Sequence, residues 1–71
     1  MKKIFIEDLK GYMDVYTHVE RVVITKIDGR KNYLVVFFTN KNTQEFIPLN
    51  EIKMCYLINI NTMEEYFRYS K

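Results

Sequence analysis

Between Val19 and Ile60 the chain holds four apolar segments, each closed by a run of polar or turn-forming residues. Apolar runs of strand length, punctuated by Gly, Pro, Asn and Asp, are the signature of hairpin-connected strands. That pattern describes a small meandering sheet, and it dominates a chain of only 71 residues. Such a chain is long enough for one domain and too short for two. A domain near this size buries only about 60% of the surface that its unfolded chain exposes. The five Phe and six Tyr therefore matter, because each large aromatic ring buries on the order of 150–250 Å².

Each segment predicts its element. Val19–Ile27 is rich in β-branched residues, which favours a strand, and its interspersed charges suggest an edge. Asp28-Gly29 supplies a turn, and Arg30, Lys31 and Asn32 lengthen it. Tyr33–Thr39 is apolar on both faces. A strand buried on both sides reads this way, so it belongs at the centre, with a helix or a second sheet over its outer face. Glu45–Leu49 is a third strand that Pro48 ends or confines to an edge. Asn50 can cap one helical turn over Glu51–Lys53, and Met54–Ile60 is the fourth strand.

The two ends predict helices. Phe5, Leu9, Tyr12, Met13 and Tyr16 recur at the spacing of one helical face, giving a helix over residues 7–17. A short opening strand at Lys3–Ile6 before a shorter helix is the alternative. Thr62 and Glu65 match a capping box, and Met63, Tyr66 and Phe67 continue as a short helical stripe ending near Tyr69. The expected architecture is therefore α+β: an antiparallel four-stranded meander with an N-terminal helix and a short C-terminal helix, residues 1–71 forming a single compact domain. The alternative is a small SH3-like bent barrel with flanking helices, in which the turn after Pro48 separates the last two strands. The segment Phe46–Ile52 is similar to the strand–turn–strand crossing of several small barrels; it is short and implies no function.

Reactive chemistry is sparse. One Cys, Cys55, cannot make an intramolecular disulfide and sits in an apolar run, as a small buried hydrophobe does. One His, His18, lies between the first helix and the first strand, where a helix terminus accounts for it. One His and one Cys cannot close a tetrahedral zinc site without carboxylates. Gly11 and Gly29 are isolated, so no glycine-rich loop cradles a phosphate. The expectation is a protein that is not an enzyme and uses no cofactor. Neither a signal-peptide core nor a membrane-length apolar stretch is visible, and a cytoplasmic protein with no membrane partner is expected. Abundant Lys, Asn and Ile, with Arg limited to Arg21, Arg30 and Arg68, suggest an AT-rich coding genome such as that of a low-GC bacterium or its phages.

Three functional readings remain. The first is a small interaction domain, regulatory or inhibitory and of the kind phages and mobile elements encode. It would bind a protein partner or a second copy through an edge strand, Val19–Ile27 or Glu45–Leu49, or through an aromatic sheet face. The second is a nucleic-acid-binding module using Arg21, Arg30, Lys31 and Lys41 around Tyr33, with aromatic rings stacking bases. The net charge of +2 is mild and the basic residues are mostly scattered among acids, which ranks this reading second. The third is a small-ligand binder at a dimer interface, which no residue specifies.

Overall fold

The computed structural model describes all residues, Met1–Lys71. Seven antiparallel strands run as β1 (Lys2–Asp8), β2 (Met13–Tyr16), β3 (Val19–Ile27), β4 (Lys31–Phe38), β5 (Gln44–Pro48), β6 (Ile52–Asn59) and β7 (Glu65–Ser70). They form two sheets, ordered β2-β1-β6-β7 and β3-β4-β5. The chain changes sheet at two corners. At the first, His18 adopts a left-handed φ of 57°, and its carbonyl accepts both the amide of Thr39 (2.8 Å) and its hydroxyl (3.2 Å). At the second, a single 3-10 turn, Leu49–Glu51, follows Pro48.

The inward faces of the two sheets make one core. In β1, Ile4 and Ile6 are buried; in β4, Leu34, Val36 and Phe38; in β6, Ile52, Cys55 and Leu57. Val19 completes this cluster, and Tyr16, Ile47, Phe67 and Tyr69 close its margins. In β1 and β4 the alternation follows from the pleat, which sends successive side chains to opposite faces, and in β6 a register shift at Lys53 brings both Ile52 and Cys55 inward. No polar side chain is buried, so burial of apolar area carries the interior with no desolvation cost to offset.

Three expectations are corrected. The N-terminal helix is absent. Residues 7–17 are the end of β1, a tight turn and β2. The Asp8 carboxylate accepts the amides of Lys10 and Tyr12, both at 2.9 Å, and Gly11 takes a φ of 93°. A side chain that captures nearby amides competes with a helix for them, and Gly supplies the left-handed residue that closes the turn. The helical spacing of Phe5, Leu9, Tyr12, Met13 and Tyr16 was a coincidence spread over two strands and a loop.

The C-terminal helix is absent too. Asn59 Oδ1 accepts the amides of Asn61 and Thr62, and the Thr62 hydroxyl accepts the amide of Glu64. Met63 has a φ of 63°, so the segment is a hairpin turn. Phe67 and Tyr69 then alternate inward as β7. The four-stranded meander is the third correction. β3, β4 and β5 are consecutive neighbours, but β6 crosses to the other sheet and pairs with β1. The architecture is nearly all sheet rather than α+β, and the helices expected to flank a bent barrel do not form. No helix is long and apolar enough to cross a membrane.

The layer expected over the outer face of β4 is also missing. Val35 points outward yet is only 3% exposed. Its cross-strand partners Val23 and Phe46 and its same-strand neighbours Tyr33 and Phe37 share its face of the sheet. Phe38→Ala, on the inner face, should cost about 3–5 kcal/mol, against about 1 kcal/mol or less for the half-exposed Phe46→Ala. Urea melts of the two variants test this; equal losses would mean that the outer face is as closed as the inner one.

Candidate interaction surface

The β1–β2 hairpin carries an unusual concentration of uncovered apolar side chains. Leu9 is 55% exposed, Tyr12 72%, Met13 49% and Val15 45%. Single exposed apolar residues need no explanation, but contiguous ones on one element mark an interaction site. The turn that presents them is locked. Besides the two bonds to the Asp8 carboxylate, the Asp8 amide donates to the Tyr12 carbonyl (2.9 Å) and the Gly11 amide to the Asp8 carbonyl (3.0 Å). The Leu9 amide reaches the Glu51 carbonyl (3.3 Å), tying the hairpin to the 3-10 turn. Asp8, Leu9, Lys10, Tyr12 and Glu51 surround a shallow depression of about 350 Å³ there.

The same surface extends across the outer face of the four-stranded sheet. Register places Val15 opposite Phe5, Phe5 opposite Tyr56, and Tyr56 opposite Arg68. The Phe5 and Tyr56 rings stack at 5.1 Å with planes 17° apart, and the Arg68 guanidinium lies 5.2 Å from the Tyr56 ring. Arg68 is held there by a two-pronged bond to Glu65, with Nη2–Oε1 at 2.8 Å and Nε–Oε2 at 3.0 Å. The hydrogen-bonded guanidinium holds the Glu65 carboxyl below the usual carboxylate range, and the carboxylate in turn pushes the Arg68 guanidinium up. Met13 stands opposite Glu7, and Glu7 opposite Met54. β2 is also an edge, and no backbone hydrogen bond is made on its outer side.

The five residues expected to bind nucleic acid fall into two groups. Arg30 and Lys31 lie at the β3–β4 hairpin and, with Lys71, Asn32, Asn50, Leu49 and Tyr69, line a cleft of about 340 Å³. Tyr33 follows on the outer face of β4, its ring edge-on to Phe46 at 6.5 Å. Arg21 sits at the other end of the sheet, its guanidinium 3.8 Å from the Phe37 ring. Lys41, in the β4–β5 turn, covers Phe38 at 4.4 Å. Arg21 stands opposite Phe37 and Thr25 opposite Tyr33, so about 13 Å of strand separates the two groups.

His18 and Cys55 are apart in kind as well as in sequence. His18 is an exposed corner residue, not a helix terminus, and its Nδ1 lies 3.1 Å from the Thr17 hydroxyl. Cys55 is fully buried, and loss of hydration pushes its thiol up to about 11. No three His, Cys, Asp or Glu side chains are grouped to hold a metal ion. Sequence reasoning missed Leu9, Tyr12, Met13 and Val15 as surface residues, and Phe46, Asn50 and Lys71 as neighbours of the basic hairpin. Asp8 followed three residues later by Gly11 was the available turn signal for the first group. The second group is assembled only by the crossing of β5 to β6. The chain shows no significant similarity to any protein-family model, curated protein or solved structure.

Two outcomes are expected here. Asp8→Ala should cost about 1 kcal/mol and speed amide exchange at Lys10 and Tyr12, while Asp8→Asn retains most protection; unchanged exchange in Asp8→Ala would show that the turn is held without the carboxylate. Cys55 should resist a thiol-specific colorimetric reagent at neutral pH until urea unfolds the chain. Its folded value, raised from 9.0 to about 11, makes its contribution complete below pH 9, lost as pH rises through 11.

Proposed function

We propose that this chain is a small non-enzymatic interaction module that receives an extended segment of another protein along the free edge of β2. The observation that carries this reading is the rigid β1–β2 hairpin with four exposed apolar side chains beside an unpaired strand edge. Adding a strand to a sheet edge supplies affinity through main-chain hydrogen bonds, and alternate side chains supply specificity. Tyr12 is the anchor: an exposed aromatic residue on a turn already ordered by five hydrogen bonds to its backbone and neighbours loses little entropy on binding.

The other three edges are better guarded. β3 is bulged near Val19–Arg21 and carries Glu20, Arg21 and Lys26. β5 ends in Pro48. β7 pairs through a bulge and carries the Glu65–Arg68 bridge. Charges, proline and bulges are the devices that keep sheet edges from pairing, and β2 has only Asp14 among them. The expected edges, β3 and β5, thus give way to β2. A second copy is a poorer occupant, because two four-residue strands side by side leave most of the roughly 800 Å² per partner of a stable interface unfilled. A longer segment can run along β2 and continue over Phe5 and Tyr56. A lone buried thiol suits a reducing compartment, so the proposed setting is the cytoplasm.

A benzophenone photo-cross-linker in place of Tyr12, with one in place of Lys41 as control, tests the reading in cells that make the protein. The expected result is a discrete protein adduct from position 12 alone, lost in Val15→Glu. The adducted protein, once purified, should bind Tyr12→Ala at least tenfold more weakly than the unchanged chain, the loss of about 1.4 kcal/mol that a modest anchor residue supplies. Equal adducts at both positions, or equal affinity for Tyr12→Ala, would overturn it. An adduct of twice the chain mass would assign the edge to a second copy instead.

A further inference from the structure

We infer that the cleft at the β3–β4 hairpin, together with the adjoining outer face of the three-stranded sheet, binds single-stranded nucleic acid. A backbone phosphate would lie in the cleft and a base would lie against Phe46 beside Tyr33. This site centres on the three-stranded sheet and draws on β7, the edge of the other sheet farthest from β2, so it does not depend on the protein-docking reading.

The cleft brings together three parts of the chain: the hairpin with Arg30, Lys31 and Asn32, the 3-10 turn with Asn50, and the end of the chain after β7 with Lys71. Three cationic side chains and several neutral donors line it, and no Asp or Glu side chain does. All three cations are free of ion pairs, since the two salt bridges are Lys53–Glu7 and Arg68–Glu65. None of the Arg30, Lys31, Asn32, Asn50 or Lys71 side chains makes a hydrogen bond within the protein. Their donors all remain for a ligand. The 3-10 turn divides the charge: Asn50 faces the cleft, whereas Glu51 lines the separate depression with Asp8. Asp28 belongs to the hairpin turn and does not line the cleft. A molecule with a net charge of only +2 thus concentrates unpaired positive charge in one concavity, which is what an anion with several acceptor oxygens needs.

The neighbouring surface indicates what else the anion carries. Lys31 lines the cleft and also begins the outward-facing row of β4. Tyr33 is the next residue on that row, about 7 Å along the strand. It stands opposite Pro48, its ring is edge-on to Phe46, and Phe46 is half exposed. Across the whole outer face, from Arg21 on β3 through Lys31 on β4 to Gln44 on β5, the alternating outward positions include no acid. Arg21 adds a cation at the far end, stacked on Phe37. A basic groove beside exposed aromatic rings is the arrangement that holds single strands, phosphates by charge and bases by stacking. A phosphate group on a folded protein would use the cleft but leave the acid-free aromatic face without a role.

The test is fluorescence anisotropy of a labelled oligothymidylate with the intact chain, at low and high salt. Binding should weaken steeply with salt. The double variant Arg30→Ala/Lys31→Ala should bind at least tenfold more weakly, with the magnitude of the log–log salt slope reduced by roughly 1.4, about 0.7 for each lost phosphate contact to a single strand. Phe46→Ala should bind roughly tenfold more weakly with the slope unchanged, as expected for one lost base stack. Tyr12→Ala, on the other sheet, should bind normally, and thermal melts verify that each variant is folded. Absence of binding at low salt, or full binding by the double variant, would overturn the inference. Displacement by inorganic phosphate or heparin, with Phe46→Ala behaving as the unchanged chain, would also overturn it and leave a phosphate or general polyanion site.

Discussion

The structure depends on two sheets sharing one interior without any helix to help them. Ile4 and Ile6 from β1, Leu34, Val36 and Phe38 from β4, and Cys55 and Leu57 from β6 meet there, with Val19 and Ile52 at the two corners where the chain changes sheet. Seven strands average fewer than seven residues, and apart from Val35 on β4 every buried strand residue faces the shared interior. Closure therefore rests on the corners: the left-handed His18 pinned by Thr39, and the 3-10 turn after Pro48. Without them the inward rows of the two sheets would not face each other.

That economy has a consequence for the exterior. The seven strands are all taken up in the two sheets, and the apolar residues on the outer faces lie at the surface of this structure. Phe5 and Tyr56 stack on each other on one sheet; Val35 is enclosed by its own neighbours on the other. Cations lie over several of the rings: Arg21 on Phe37, Lys41 on Phe38, Arg68 on Tyr56 and Lys2 on Tyr66. Each such pair shields aromatic area while keeping its charge in water. No cation lies over Leu9, Tyr12 and Met13, or over Phe46, and there the surface is open. The two proposed sites are those two gaps, one beside an unpaired edge and one beside unpaired positive charge.

The segments Val19–Ile27, Tyr33–Thr39 and Glu45–Leu49 were legible as strands because β-branched and aromatic residues fill them and Asp28-Gly29, Asn40 and Asn42 mark their ends. The two ends of the chain were not. Five apolar residues at helical spacing outweighed the Asp8 and Gly11 turn signal, and Thr62 with Glu65 imitated a helix start. In each case a short polar side chain, Asp8 or Asn59, captures the amides that a helix would need. Single-sequence periodicity does not weigh that local competition. Of the expected nucleic-acid residues, Arg30, Lys31 and Tyr33 do share one end of a sheet, since they are close in sequence; Arg21 is at the other end because antiparallel register sets it opposite Phe37, and Lys41 is there because it lies in the turn after β4.

By itself, then, the sequence determined a small chain with one cysteine, many aromatic residues and a central strand apolar on both faces, because composition and alternation act locally. The tertiary structure decided which apolar residues are core and which are surface. Whether Leu9 or Leu34 is buried depends on the partner strand that arrives opposite it, and β1 receives its partner β6 from about fifty residues away. The same long-range pairing joins Lys71 to Arg30 in one cleft and leaves β2 at an edge. Those are properties of how the strands are ordered in space, and strand order is set by which closure buries the most apolar area, a comparison between whole folds that no local pattern contains.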